Sequence, residues 1–128
     1  MAKGHSRRQE VAAIRRGEIY LVSFDPTIGH EIKKTRRALI IQNDVGNRHS
    51  PLTIVAAITS TVSPVPFPVE VVVAPTKNNG LAVKSAIRLD QIRTVDRQRL
   101  IRRLGVADAG AMRRVDEALS ISVGLVEL

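Results

Sequence analysis

The sequence predicts a mostly β (α+β) protein: a small, antiparallel β-barrel with one C-terminal helix packed against it. Three observations carry that reading. Short β-branched runs, separated by turn-rich stretches, fill the chain up to about residue 95. The apolar spacing then changes to a helical period near the end of the chain. The length, 128 residues, is that of one ordinary domain.

The elements follow in order. Residues 1–16 read as a basic tail or a marginal helix, with the domain proper assigned to 14–128 behind a tail of 1–13. The first strand is EIYLVSF, 18–24, by its alternation and its β-branched and aromatic content. Asp25-Pro26 stops it, and 27–34, with Gly29, is a loop. The apolar run 38–41 is short enough for a buried strand. The segment NDVGNRHSP, 43–51, is dense in turn formers and reads as a connection. Residues 53–59 form another strand, 63–68 a proline-spaced loop, 69–73 a strand, 77–80 a turn, and 85–95 one or two short strands, five or six strands in all. Asp96 opens a short helix over 96–104 as its N-cap, and Asp108 opens a longer one to about Val126. Met112, Val115, Leu119 and Val123 fall on one face of that helix.

Composition excludes several classes. The chain has no cysteine, so disulfides, thiolate zinc sites and a cysteine nucleophile are out. No apolar run approaches the roughly 20 residues of a membrane span, and MAKGHSRRQEVAAIRR lacks the apolar stretch of a secretory signal. The expectation is a soluble, cytoplasmic protein with no membrane partner. The acids are scattered, HExxH and histidine pairs at ligand spacing are missing, and neither a phosphate-cradling glycine loop nor GxSxG occurs. No metal or cofactor is expected.

Charge says more. Twenty Lys and Arg against twelve Asp and Glu leave +8. Residues 33–37 hold four cations and no acid, and residues 93–114 hold seven arginines against two aspartates. Residues 38–92 are almost neutral, four against three. A basic footprint around a neutral core points to a polyanion. The aromatics are only Tyr20, Phe24 and Phe67, too few for a base-stacking platform. Nucleic acid would therefore be engaged through its phosphates, or through chemistry on them.

RNA brings its own nucleophile, the 2′-hydroxyl beside each phosphate. Cleaving it needs a base, an acid and cations around the phosphorane. His5 lies in the tail and His49 beside Arg48. His30 lies in a glycine-containing loop just before the cations of 33–37, where a titratable imidazole would serve such a reaction.

The segments RRGEIYLVSFDPTIGHE (15–31), RRALIIQNDVGNRHSP (36–51), IVAAIT (54–59), LDQIRTVDRQRL (89–100) and VDEALSISVGL (115–125) resemble the MazF/PemK family. These are the mRNA-cleaving toxins of type II toxin–antitoxin modules. The resemblance runs in order over about 14–128. It implies an SH3-like or CcdB-like barrel and a homodimer whose groove binds single-stranded mRNA. It also implies sequence-specific, metal-independent cleavage to a 2′,3′-cyclic phosphate and a 5′-hydroxyl. A cognate MazE-type antitoxin would lie over the same groove, in a complex that binds operator DNA through the antitoxin.

The family's catalytic residues carry over in two sets. Arg36 and Thr59 match the arginine before the second strand and the threonine closing the third. His30, Arg88 and Asp90 match the loop histidine and Arg-x-Asp pair of the other variant. Arginine is a poor base, so Arg36 and Arg88 are read as phosphate clamps, Asp90 or His30 as proton acceptor, and Thr59 as an orienting hydroxyl. Lys33, Lys34, Arg37 and Arg48 are the candidate RNA-binding cations. The loop EIKKTRRA (31–38) departs from the family, with Arg37 in the usual proline position, so that Arg36 and Arg37 could partly substitute for each other. By the same resemblance this loop shapes the RNA entrance and SPVPFP (63–68) is its second wall, the alternative for the latter being a stiff strand connection. Two other readings stay open: a gyrase-binding toxin of the same fold, and a catalytically silent RNA-binding paralogue.

Overall fold

The computed structural model describes residues 14–24, 35–65 and 67–127. Both the tail 1–13 and the loop 27–34 lie outside them. Six strands form one sheet: β1 (Glu18–Ser23), β2 (Thr35–Ile40), β3 (Leu52–Thr59), β4 (Glu70–Val73), β5 (Ser85–Asp96) and β6 (Leu100–Val106). Helix α1 (Asp44–His49) links β2 to β3, and helix α2 (Ala109–Ser122) ends the fold. The sheet order is β4-β5-β3-β2-β1-β6, with every pairing antiparallel.

That order forces a curl. β5 and β6 sit far apart in the sheet, yet one turn of 3-10 helix, Arg97–Arg99, joins them. The sheet must roll until the end of β5 reaches the edge of β1. Two guanidinium groups span that closure: Arg93 donates to the Phe24 carbonyl (3.0 Å) and Arg99 to the Ser23 carbonyl (3.2 Å). On the other side the β4–β5 connection crosses to β6, where Val106 N–H donates to the Asn78 carbonyl (2.8 Å). The approach is close enough that a Cβ on Gly80 would overlap the Leu104 carbonyl, and Gly80 also has φ +71°. The result is barrel-like, closed by a loop and side chains rather than by a last strand pair.

Strand alternation sorts the core onto two faces. Ile19, Leu39, Ala56, Ile58, Ile87 and Leu89 face α2, meeting its Ala111, Val115 and Ala118. Tyr20, Val22, Phe24, Ala38, Ile40, Val55, Val95 and Leu100 pack on the opposite face. Within β5 the parity flips. Ala57 pairs with Arg88 but Ala56 with Ile92, so one step along β3 answers four along β5. This bulge lets Leu89 face α2 and Val95 the other side, and it contains Asp90.

Three sequence expectations change, and the one-or-two-strand reading of 85–95 narrows to one. Residues 43–51 contain helix α1, because Asn43 caps it (Oδ1 accepts Gly46 N–H, 2.8 Å) and Asp44 and Arg48/His49 match its two ends. Asp96 does cap a helical turn, accepting Gln98 N–H (2.8 Å), but that turn is only three residues long. The chain then extends as β6 to cover the edge of β1. Residues 85–95 form a single bulged strand. On α2 the buried stripe is Ala111, Val115 and Ala118, with Met112 and Leu119 flanking it and Val123 exposed. Small alanines let the helix sit close to the sheet, which rotates the stripe away from the larger residues. Among the described residues no helix is long and apolar enough to cross a membrane.

Candidate functional site

Strand register builds the site. Glu70 pairs with Arg88, Arg88 with Ala57, and Ala57 with Ala38, a row running across four strands. In the next row Ala86 pairs with Thr59, and Arg36 with Val22. Carrying the β2–β3 register two residues beyond Ala38↔Ala57 sets Arg36 across from Thr59. Directly opposed residues share a face. Arg36, Thr59 and Arg88 therefore occupy one face of the sheet, the face that also bears Tyr20, Val22 and Val55.

Arg88 is the best-held side chain there. Its Nε donates to Asp90 Oδ1 (3.0 Å) and its Nη2 to Asp90 Oδ2 (2.8 Å), a two-pronged ion pair. The Phe67 ring lies over its guanidinium, 5.2 Å from carbon to centroid. The Asp90 hydrogen bond, together with the charges of Asp90 and Glu70, holds the Arg88 cation above the ordinary arginine range against the opposing effect of burial. Two of its five N–H groups are engaged with Asp90, which leaves donors for an anion. Behind it, Glu70 is 7% exposed. Ser63 Oγ donates to its Oε2 (3.2 Å), while Oε1 has no partner among the described residues.

Thr59 closes β3 with its Oγ1 accepting the Thr61 N–H (3.1 Å). That contact uses a lone pair and leaves the hydroxyl proton free to donate. Arg36 is exposed on β2. Its neighbour Arg37 points to the other face, where Nη1 donates to Ser85 Oγ (2.9 Å). Burial, then the charge of Arg36, lowers the Arg37 pKa below the usual arginine value. Alternation along a strand thus separates the two, and the expectation that they substitute for each other fails on geometry.

Arg48 is also elsewhere. It sits in the last turn of α1, which joins the end of β2 to the start of β3. Arg36 lies near the start of β2 and Thr59 ends β3, so the length of β3, roughly 20 Å or more, intervenes. His30, Lys33 and Lys34 lie outside the described residues. Among the described residues no group of three or more His, Asp and Glu is placed to hold a metal ion. Sequence reasoning missed Glu70, and it set the loop 63–68 at the RNA entrance by family likeness without giving Phe67 itself a role. A lone acid inside the apolar run VEVVV, and the one aromatic set among prolines, were the available signals.

Two arginines and a hydroxyl donor share one face, one arginine held by a carboxylate, and these are the donor types that complement oxyanions. The class defined is a small β-barrel-like protein with a cationic face built by strand register. A family model described as "PemK-like, MazF-like toxin of type II toxin-antitoxin system" matches residues 15–123. Endoribonuclease EndoA of Bacillus subtilis is 42% identical over 114 residues, covering 89% of this chain and 97% of that protein. A crystal structure of MazF from Deinococcus radiodurans superposes with a TM-score of 0.73 at 27% identity, covering 87% of this chain and 96% of that one. A MazE–MazF structure from the same organism gives 0.69 at 25% identity, covering 88% and 97%. The chain belongs to the PemK/MazF family of type II toxin–antitoxin toxins.

Proposed function

We propose that this toxin is an endoribonuclease that cuts single-stranded mRNA at preferred sequences and so arrests translation. The observation that carries the reading is the common face of Arg36, Thr59 and Arg88, with Asp90 locked onto Arg88. The endoribonuclease name of the Bacillus subtilis relative supports it.

In the reaction the 2′-oxygen attacks phosphorus, forming the O2′–P bond as the P–O5′ bond breaks. A base takes the 2′-proton, and an acid returns one to O5′. Products are a 2′,3′-cyclic phosphate and a 5′-hydroxyl. Since the nucleophile belongs to the substrate, the chemistry needs no metal. Arg36 and Arg88 hold the non-bridging oxygens and offset the charge that builds on the phosphorane. Thr59 donates its hydroxyl to the same phosphate. Asp90 spends both oxygens on Arg88, so it acts as a positioning residue, and His30 is the residue of the set left to move the proton.

A cognate antitoxin is the second partner, as in the MazE–MazF structure of the Deinococcus protein. Its chemistry would be an acidic segment laid over the basic face, with a homodimer of this chain as receptor. Binding of that complex to operator DNA would come through the antitoxin, and the mRNA substrate sets the cytoplasm as the place of action. The test is direct. Purified protein is incubated with a long single-stranded RNA in excess chelator, and the ends are mapped. Discrete cuts, absent with Arg36→Ala and suppressed by the antitoxin, are expected. Intact RNA with chelator and with magnesium alike would leave a gyrase-directed or silent protein instead.

A further inference from the structure

Of the three aromatic side chains, Tyr20 and Phe24 are buried in the core, while Phe67 is 40% exposed. It is not placed at random. One side of its ring faces the Arg88 guanidinium at 5.2 Å, and its carbonyl accepts the Glu70 N–H (2.9 Å), tying the residue to the start of β4. The segment around it reads SPVPFP, 63–68. Proline fixes its own φ and restricts the residue before it, so Phe67, preceding Pro68, has little backbone freedom to lose. The ring is thus a rigid apolar plate standing beside the arginine that the nuclease reading assigns to phosphate binding. Its arginine-facing side is taken, and two-fifths of the residue remains open to solvent.

We infer that Phe67 is a substrate-positioning residue on which one base of the bound RNA strand stacks, forming a base–Phe67–Arg88 sandwich next to the scissile phosphate. A single ring of this kind anchors one nucleotide. It does not read sequence by itself, because every base has a π-face. This inference rests on the endoribonuclease reading and names a contact within that site.

Two measurements test it. In the first, short RNA substrates carrying one abasic nucleotide at each position in turn are cleaved by the wild-type protein, Phe67→Ala, Phe67→Leu and Phe67→Tyr. At one position next to the cut, base removal should lower wild-type kcat/KM roughly 5- to 150-fold, the worth of one stacked base. Phe67→Ala and Phe67→Leu should lose a similar factor and become indifferent to base removal there, while Phe67→Tyr keeps both activity and sensitivity. Equal activity of Phe67→Ala and wild type overturns the inference. So do losses from Phe67→Ala and from base removal that simply multiply at every position, since the ring would then act only through Arg88. In the second, RNA with single 5-iodouridines is photocrosslinked, and a crosslink at Phe67 is expected. Its absence from RNA that is bound overturns the stacking contact. Failure of the wild-type protein to cut any RNA would instead strike the nuclease reading, and crosslinking still decides the contact.

Discussion

Asp90→Asn separates catalysis from stability, and its size can be worked from the geometry. The Arg88–Asp90 pair is two-pronged at 3.0 and 2.8 Å, but its side chains are 21% and 37% exposed. Ion pairs in such surroundings contribute at most about 1 kcal/mol to folding, and asparagine retains one acceptor. For a domain of this size that is a Tm change of about 4 °C or less. Activity should respond far more. Without the second prong the Arg88 guanidinium is no longer fixed toward the phosphate, and losing one preorganised donor costs about 10²-fold, a barrier rise of about 2.7 kcal/mol. The assay is kcat/KM on a short RNA across pH, beside a thermal melt. The expected result is about 10²-fold loss with the shape of the pH–rate profile kept, since Asp90 acts by positioning Arg88. Arg88→Lys should lose as much, because lysine carries the charge without the fork. Activity within threefold of wild type would refute the positioning argument, and loss of one limb of the pH profile would make Asp90 the base.

Other predictions follow from the same contacts. Arg36→Ala should abolish cleavage with Arg37 intact, whereas Arg37→Ala should retain most of it, because the two side chains leave opposite faces of β2; equal losses in a cleavage assay would contradict that. Asn47 is fully buried, bonded to the Gln42 carbonyl, Asp44, Thr53 and the Gln42 amide. Asn47→Ala strands several of these and should cost about 3 kcal/mol, read as a Tm fall on the order of 10 °C. Asp44 accepts the Arg16 N–H and the Asn47 amide, which lower its pKa. A depressed carboxylate pKa stabilises the fold above the unfolded value, near 3.9, and that contribution disappears as pH falls through the folded value. The Tm gap between wild type and Asp44→Ala should therefore be small and constant near neutrality and close below about pH 4.

Much of the fold was legible in the sequence because strand alternation and the Asp96 and Asp108 caps are local signals. What escaped depends on tertiary context. A single curl decides that Leu100–Val106 extends beside β1 instead of continuing a helix, and no local propensity in LIRRLGV announces it. The α1 turn hid behind turn formers that serve equally as caps, Asn43 and Asp44 above all. For the site, the family likeness selected Arg36, Thr59, Arg88 and Asp90, and the register explains why distant positions share a face. The same register separates Arg37 from Arg36 and Arg48 from both, which a count of cations cannot do. Glu70 carried no motif and emerges only from the pairing of β4 with β5, while Phe67 lay in a loop that the family likeness set at the RNA entrance and gains its own place from the seat of the ring on Arg88.

The proposed cleavage depends most directly on the 2′-hydroxyl. A short RNA containing the mapped cut should be compared with the same strand bearing one 2′-deoxynucleotide immediately 5′ of that cut, under excess chelator. The deoxy strand should still bind and compete but not be cut there, while the all-RNA strand should yield a 2′,3′-cyclic phosphate and a 5′-hydroxyl. Cleavage of the deoxy strand at the same bond would contradict attack by the 2′-hydroxyl.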